Sequence, residues 1–165
     1  MSGCFRNFGR RADLWADGPG RTPRSITEGG GGAAYGVTRS GGAAVAIDDR
    51  NAPRPDVMVF DQTGLDVRTV EQIPVEKAVL AVEVVSAGSR LADRFAKPAL
   101  YAAAGIASYW RVERDENDLP VVHDFWLHHE SGVYAPSPER PLHTGKLVTS
   151  VPFPVDIGLR KLTEP

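Results

Sequence analysis

The stretch Val79-Leu80-Ala81-Val82-Glu83-Val84-Val85-Ser86 constrains this chain more than any other. It is an apolar, β-branched run with one carboxylate inside it. Runs of this kind are strands buried on both faces. An ionised carboxylate there costs several kcal/mol, as an order of magnitude, unless it is paired or bound to a cation. Glu83 therefore needs a partner, and the remaining sequence has to supply it.

The chain has 165 residues, of which 42% are hydrophobic and 24% charged, so one domain with a real core is expected. No apolar run approaches the ~20 residues of a membrane span, and no apolar signal core stands at the N-terminus. The single Cys4 allows no internal disulfide. These features together predict a cytoplasmic protein. The net charge of -2 gives no global case for nucleic acid. The charge is uneven, however. Residues 86–112 carry Arg90, Arg94, Lys97 and Arg111 against Asp93 alone, a local excess of +3 directly after the Glu83 strand. A basic block beside an acidic site suits a phosphate substrate, and a solvated helix face is the plainer account of it.

Residues 1–42 differ in character from the rest of the chain. They hold 11 of the 17 glycines and six arginines, including the run Gly29 to Gly32, with neither helical nor strand periodicity. Most of this segment is expected to be disordered or loosely packed, and residues 43–165 to form the domain. The glycines are no phosphate loop, because no strand precedes them and no Gly-Lys-Ser/Thr is present.

Within the domain, strands are expected at Ala43–Ile47, Asp56–Phe60, residues 79–85, Ile106–Val112, Val121–Leu127, Val133–Ala135 and Lys146–Thr149. An extended Pro152–Ile157 closes the chain. Residues 65–77 read as an irregular surface loop. One helix falls within residues 90–104 and stops at Gly105. Pro98 is harmless only in a first turn, so the regular helix should begin near Phe95 or Ala96 after an irregular lead-in. The order predicts an α+β fold, a mixed β-sheet with a helix on one face.

Two acids head or interrupt apolar strands, Asp56 and Glu83. If those strands pair, the two carboxylates can converge on one cation, and with a backbone carbonyl and water they suit Mg²⁺ or Mn²⁺. The alternative makes Asp56 a strand cap and Glu83 an ion-paired core residue. Lys97 is 14 residues after Glu83, and its long stem could reach back to stabilise charge on a phosphate. The plainer account is a surface i,i+4 pair with Asp93. Tyr101 would share the Lys97 face and reads as core. His123, His128, His129 and His143 form no paired metal spacing, and Trp110 and Trp126 read as core or interface.

Pro55-Asp56, Val82-Glu83-Val84-Val85-Ser86, Arg90, Asp93, Lys97, Tyr101, Gly105-Ile106, Tyr109-Trp110 and the closing Pro152-Phe153-Pro154-Val155-Asp156 together resemble the Uma-two family of the PD-(D/E)XK nuclease superfamily. The resemblance covers roughly residues 54–160. It implies a restriction endonuclease-like core with flanking helices and Mg²⁺-dependent hydrolysis of DNA phosphodiesters. Asp56 and Glu83 would match the metal-binding acids, and the Val84 carbonyl a further ligand. Val85 stands where the superfamily lysine would, and the resemblance implies that the lysine has moved to the helix as Lys97. The family's acidic, histidine-bearing N-terminal helix is not evident in residues 1–42. A metal-dependent DNA endonuclease is the leading expectation, and a catalytically inactive binding or assembly module of the same fold is the alternative. A homodimer is expected from the apolar surface around Trp110, Trp126 and residues 108–135.

Overall fold

The computed structural model describes residues 35–39, 43–66 and 69–162. Its central strand pair is the one the apolar runs demanded. β3 (Val57–Asp61) and β5 (Ala78–Val84) lie antiparallel, with Val57 opposite Val82 and Val59 opposite Leu80. Along β3, Val57 and Val59 face one way and Met58 and Phe60 the other, and all four are buried. A two-sided core explains why these strands carry no polar alternation.

The sheet continues outward from this pair. β5 pairs in parallel with β6 (Ser108–Arg114), and β6 pairs antiparallel with β7 (Pro120–His128). β7 then carries β8 (Val133–Pro136) and, further along, β9 (Leu142–Thr144). The parallel β5–β6 step needs a crossover. The helix between them, α1 (Lys97–Ala103), provides it. The fold is therefore α+β, a mostly antiparallel mixed sheet with one α-helix among the described residues, as expected of a restriction endonuclease-like core.

The other edge corrects the sequence reading. Tyr35–Arg39 lies inside the segment expected to be irregular, yet it forms β1 and pairs antiparallel with β3. Gly36 sits opposite Phe60, and a Cβ there would lie 2.4 Å from the Phe60 ring. The glycine lets the ring lie flat over the edge strand, so β1 belongs to the sheet and the domain extends at least to Tyr35. The rest of residues 1–42 lies outside the described residues. The loop expected over 65–77 also holds structure. Gln72–Pro74 (β4) pairs in parallel with Ala44–Ala46 (β2).

Each face of the sheet has its own core. One packs Val57, Leu80, Val82, Trp110 and Val112 against β10 (Lys146–Thr149), β11 (Val155–Gly158) and a short 3₁₀ turn at Leu159–Leu162. The other packs Met58, Phe60, Ala81 and Tyr109 against Tyr101 of α1 and against Val45 and Ile73. Covering Trp110 in this way removes one of the two tryptophans that motivated a dimer, while Trp126 stays 39% exposed. No helix among the described residues is long and apolar enough to cross a membrane.

Candidate active site

Glu83 is the last buried residue of β5, and its side chain enters the helix-side core. Asp56 precedes β3 by one residue. Continuing the β3–β5 register by one position sets Asp56 opposite Glu83, on the face of Met58 and Phe60. The two acids therefore share a sheet face, as expected. Asp56 is fixed from its own side, because its Oδ2 accepts the Val84 backbone N–H at 2.8 Å.

The partner that Glu83 needed comes from the helix. Helical geometry begins at Arg90, passes through a π-turn at Ala92–Ala96 and continues as α1. The π-turn accommodates Pro98, whose missing N–H and bulky ring would disrupt a continuous α-helix. Across the turn, the Lys97 N–H donates to the Ala92 carbonyl five residues back. The irregular lead-in predicted from Pro98 is this π-turn, a feature common at functional sites. At the other end Gly105 adopts φ +80°, and the N–H groups of Gly105 and Ile106 donate to the carbonyls of Ala102 and Tyr101 at 3.0 and 3.1 Å. This double closure is a Schellman motif. It fixes Tyr101, and Ile106 packs in the same core.

Asp93, Lys97 and Tyr101 thus line one stripe of the helix facing the sheet. Lys97 Nζ donates to Glu83 Oε2 at 2.8 Å, and the Tyr101 hydroxyl donates to Glu83 Oε1 at 2.6 Å. Asp93 Oδ1 lies 2.9 Å from Lys97 Nζ, an ion-pair contact without hydrogen-bond alignment. Asp93 is in turn seated by the Tyr109 hydroxyl, which donates to its backbone carbonyl at 2.6 Å. The Glu83 and Asp93 side chains are 0% and 1% exposed, whereas Lys97 keeps 31%, so the cluster opens to solvent through the lysine.

Burial pushes the Glu83 carboxyl up to about 7, against the hydrogen bonds from Lys97 and Tyr101 and with help from the Asp56 charge. Burial also disfavours the Lys97 ammonium, yet its contacts with Glu83 and Asp93 hold its pKa above the ordinary lysine value. Burial, then the Glu83 charge, pushes the Tyr101 hydroxyl far up, so it stays a donor. These residues fit a hard divalent cation. A buried carboxylate whose charge is disfavoured, and a second carboxylate facing the same way, are oxygen donors that a cation would stabilise. Among the described residues no group of three or more His, Cys, Asp or Glu side chains is arranged around a common point. The protein's share of such a site would be the two acids, with water completing the shell, the usual habit of Mg²⁺.

Three of the expected residues, Asp56, Glu83 and Lys97, thus gather on one face, joined by the Val84 amide. The role expected of Val84 was its carbonyl, whereas the contact seen is through its N–H. Two residues read more blandly belong to the cluster. Tyr101 is core and also a Glu83 partner, and the Asp93–Lys97 pair is buried on its acidic side rather than superficial. The 93-97-101 spacing after an acid-bearing strand was the available signal. The register also assembles a row that no spacing announced. Glu83 is beside Arg111, and Arg111 is opposite His123. Among the other histidines, His143 is buried and His128 Nδ1 lies 3.1 Å from Ser131 Oγ.

A mixed sheet with one acid in a central strand, a second at the head of its neighbour and a helix lysine reaching the first defines a restriction endonuclease-like protein. The chain belongs to the Uma2 family, whose model carries the description "Putative restriction endonuclease" and matches residues 31–145, from before β1 to just past β9. No curated protein matches the chain.

Proposed function

We propose that this protein is a metal-dependent DNA endonuclease that hydrolyses phosphodiester bonds. The observation that carries the reading is the Glu83–Lys97 pair, buried on its acidic side, with Asp56 at the head of the adjacent strand and on the same face. Asp56 and Glu83 would hold Mg²⁺ or Mn²⁺, as the acids of the PD-(D/E)XK superfamily do, with the Val84 carbonyl as a further ligand. Bound there, the ion supplies Lewis-acid polarisation of a phosphate oxygen and activation of water. Lys97 is the cation at the mouth of the cluster, where it stabilises negative charge developing on the phosphate. Asp93 keeps the ammonium directed at the site, and Tyr101 holds the Glu83 carboxylate.

A second reading has support in one observation. Both Glu83 oxygens already have partners in Lys97 and Tyr101, as would suit an inactive binding or assembly module whose acid is only a core residue. Calorimetry with Mn²⁺ separates the two. An active metal site predicts one saturable binding event in the wild type and none in Glu83→Ala, whereas the inactive module predicts no difference. Lys97→Ala should then keep Mn²⁺ binding but lower cleavage by about 10²-fold, measured as the rate of plasmid nicking.

A further inference from the structure

One strand along from Glu83, the same sheet face turns basic. Arg111 stands beside Glu83 in the β5–β6 register, and His123 stands opposite Arg111 in β7. Arg94 reaches in from the π-turn and donates from Nε to Glu113 Oε1 at 3.1 Å. Arg111 pairs with the same carboxylate through its Nε, out of hydrogen-bond alignment. One carboxylate therefore serves two guanidiniums. Those cations, against the pull of burial, hold Glu113 below the usual carboxylate range, so it stays charged. Burial, then the charges of Arg111 and Arg94, hold His123 below the ordinary histidine range, so it adds no charge near neutrality. Arg94, Arg111, Glu113 and His123 together carry a formal charge of +1 near neutrality.

That charge is held in a shaped way. The Arg111 guanidinium lies over the Phe125 ring at 5.2 Å from its centroid. An arginine laid on an aromatic face loses little freedom when it binds, and its planar fork matches two oxygens of a phosphate. Its Nε is sealed from solvent. Its side chain keeps 18% exposure. The two terminal nitrogens donate no hydrogen bond among the described residues and are the part that faces outward. A guanidinium retained for packing alone would be expected to spend those donors.

We propose that Arg111 is an anion-binding residue that receives a backbone phosphate of the nucleic acid, one strand away from the acidic pair. Arg94 and Glu113 hold the corner, and Phe125 sets the plane of the fork. The identity of the anion as a nucleic-acid phosphate rests on the nuclease reading. The existence of the anion site does not.

Two measurements keep those claims apart. In the metal-free wild-type protein, inorganic phosphate should shift the ¹⁵N–¹H signal of the Arg111 side-chain Nε saturably, because the buried Nε reports on its guanidinium. In fluorescence anisotropy with labelled duplex DNA in EDTA, Arg111→Gln should weaken binding by roughly tenfold, as for one lost charged hydrogen-bonding group. It should also reduce the slope of log affinity against log salt by about one phosphate contact, while the Mn²⁺ isotherm stays that of the wild type. Arg111→Lys should restore the salt slope but only part of the affinity, since it keeps the charge and loses the fork. A phosphate-dependent shift without DNA binding by the wild type supports the anion site and sinks the nuclease reading. An Nε signal that phosphate leaves unmoved overturns the proposal. So does an Arg111→Gln variant with wild-type DNA affinity and salt slope.

Discussion

The sheet buries Glu83 and Glu113 on its helix side and Asp124 on the opposite one, and Glu83 and Asp124 are handled differently. On the helix side Glu83 is held by a cation, Lys97, and by Tyr101. On the opposite side Asp124 is held by a neutral donor, the Trp110 indole N–H at 2.9 Å, with His143 Nε2 3.7 Å away. Burial raises both carboxyls, Glu83 to about 7 and Asp124 to about 6. Burial also keeps His143 below the ordinary histidine range, so near neutrality it is no cation for Asp124. The Asp124 corner is closed, with both side chains under one-tenth exposed. The Glu83 corner has a lysine that is part-exposed and a second acid on the next strand. A buried carboxylate alone therefore marks nothing. What marks Glu83 is a part-exposed cationic partner together with a second carboxylate, Asp56, beside it.

The largest expected effect comes from removing that partner. Lys97→Met leaves Glu83 buried without its counter-charge and should destabilise the protein by about 3–5 kcal/mol at pH 8. Lys97→Met/Glu83→Gln should recover most of this loss. Urea denaturation of the two variants measures both. A single variant as stable as the wild type would place Lys97 in solvent rather than in the pair.

Next in size is the pH dependence. Both folded-state values lie above the ordinary carboxyl values of 4.5 and 3.8. A carboxyl raised by folding contributes stability below its unfolded pKa and loses it as pH rises through the folded one. In metal-free buffer Glu83 should therefore cost about 3 kcal/mol between pH 4.5 and 7.5, and Asp124 about 2–3 kcal/mol between pH 4 and 6.5. Glu83→Gln should flatten the upper part of the profile and Asp124→Asn the lower part. Added Mn²⁺ should relieve only the Glu83 part, and relief of both would erase the contrast between the two faces.

The smallest effect concerns Tyr101. Tyr101→Phe keeps the ring but removes one donor from Glu83, which should cost about 1–2 kcal/mol. It should also weaken Mn²⁺ binding about 10- to 100-fold, as for the loss of a group that orients a metal ligand. Calorimetry in which stability falls while affinity holds would return Tyr101 to the core.

Much of this was legible in the residues. The β-branched runs around Val57–Phe60 and Val79–Val85 announced two-sided burial, and Pro98 announced the break in the helix. Glu83 was conspicuous because a charge inside such a run is costly. β1 was not legible, since its reason is Phe60 packing over Gly36, a contact between residues 24 apart in the sequence. Nor was the role of Tyr101, because a buried tyrosine reads as core until its hydroxyl has a named acceptor. The Arg111–His123 row follows from strand register, which hydrophobic patterning sets only after the strands are paired.

The central claim is that the Glu83 corner is a catalytic metal site. Its most direct test is plasmid cleavage with Mn²⁺ by the wild type and by Glu83→Gln, purified side by side. Nicking should require added Mn²⁺, stop on addition of EDTA and be lost in Glu83→Gln. Cleavage of equal rate in both proteins, or a wild type that binds Mn²⁺ and cleaves no DNA, would contradict it.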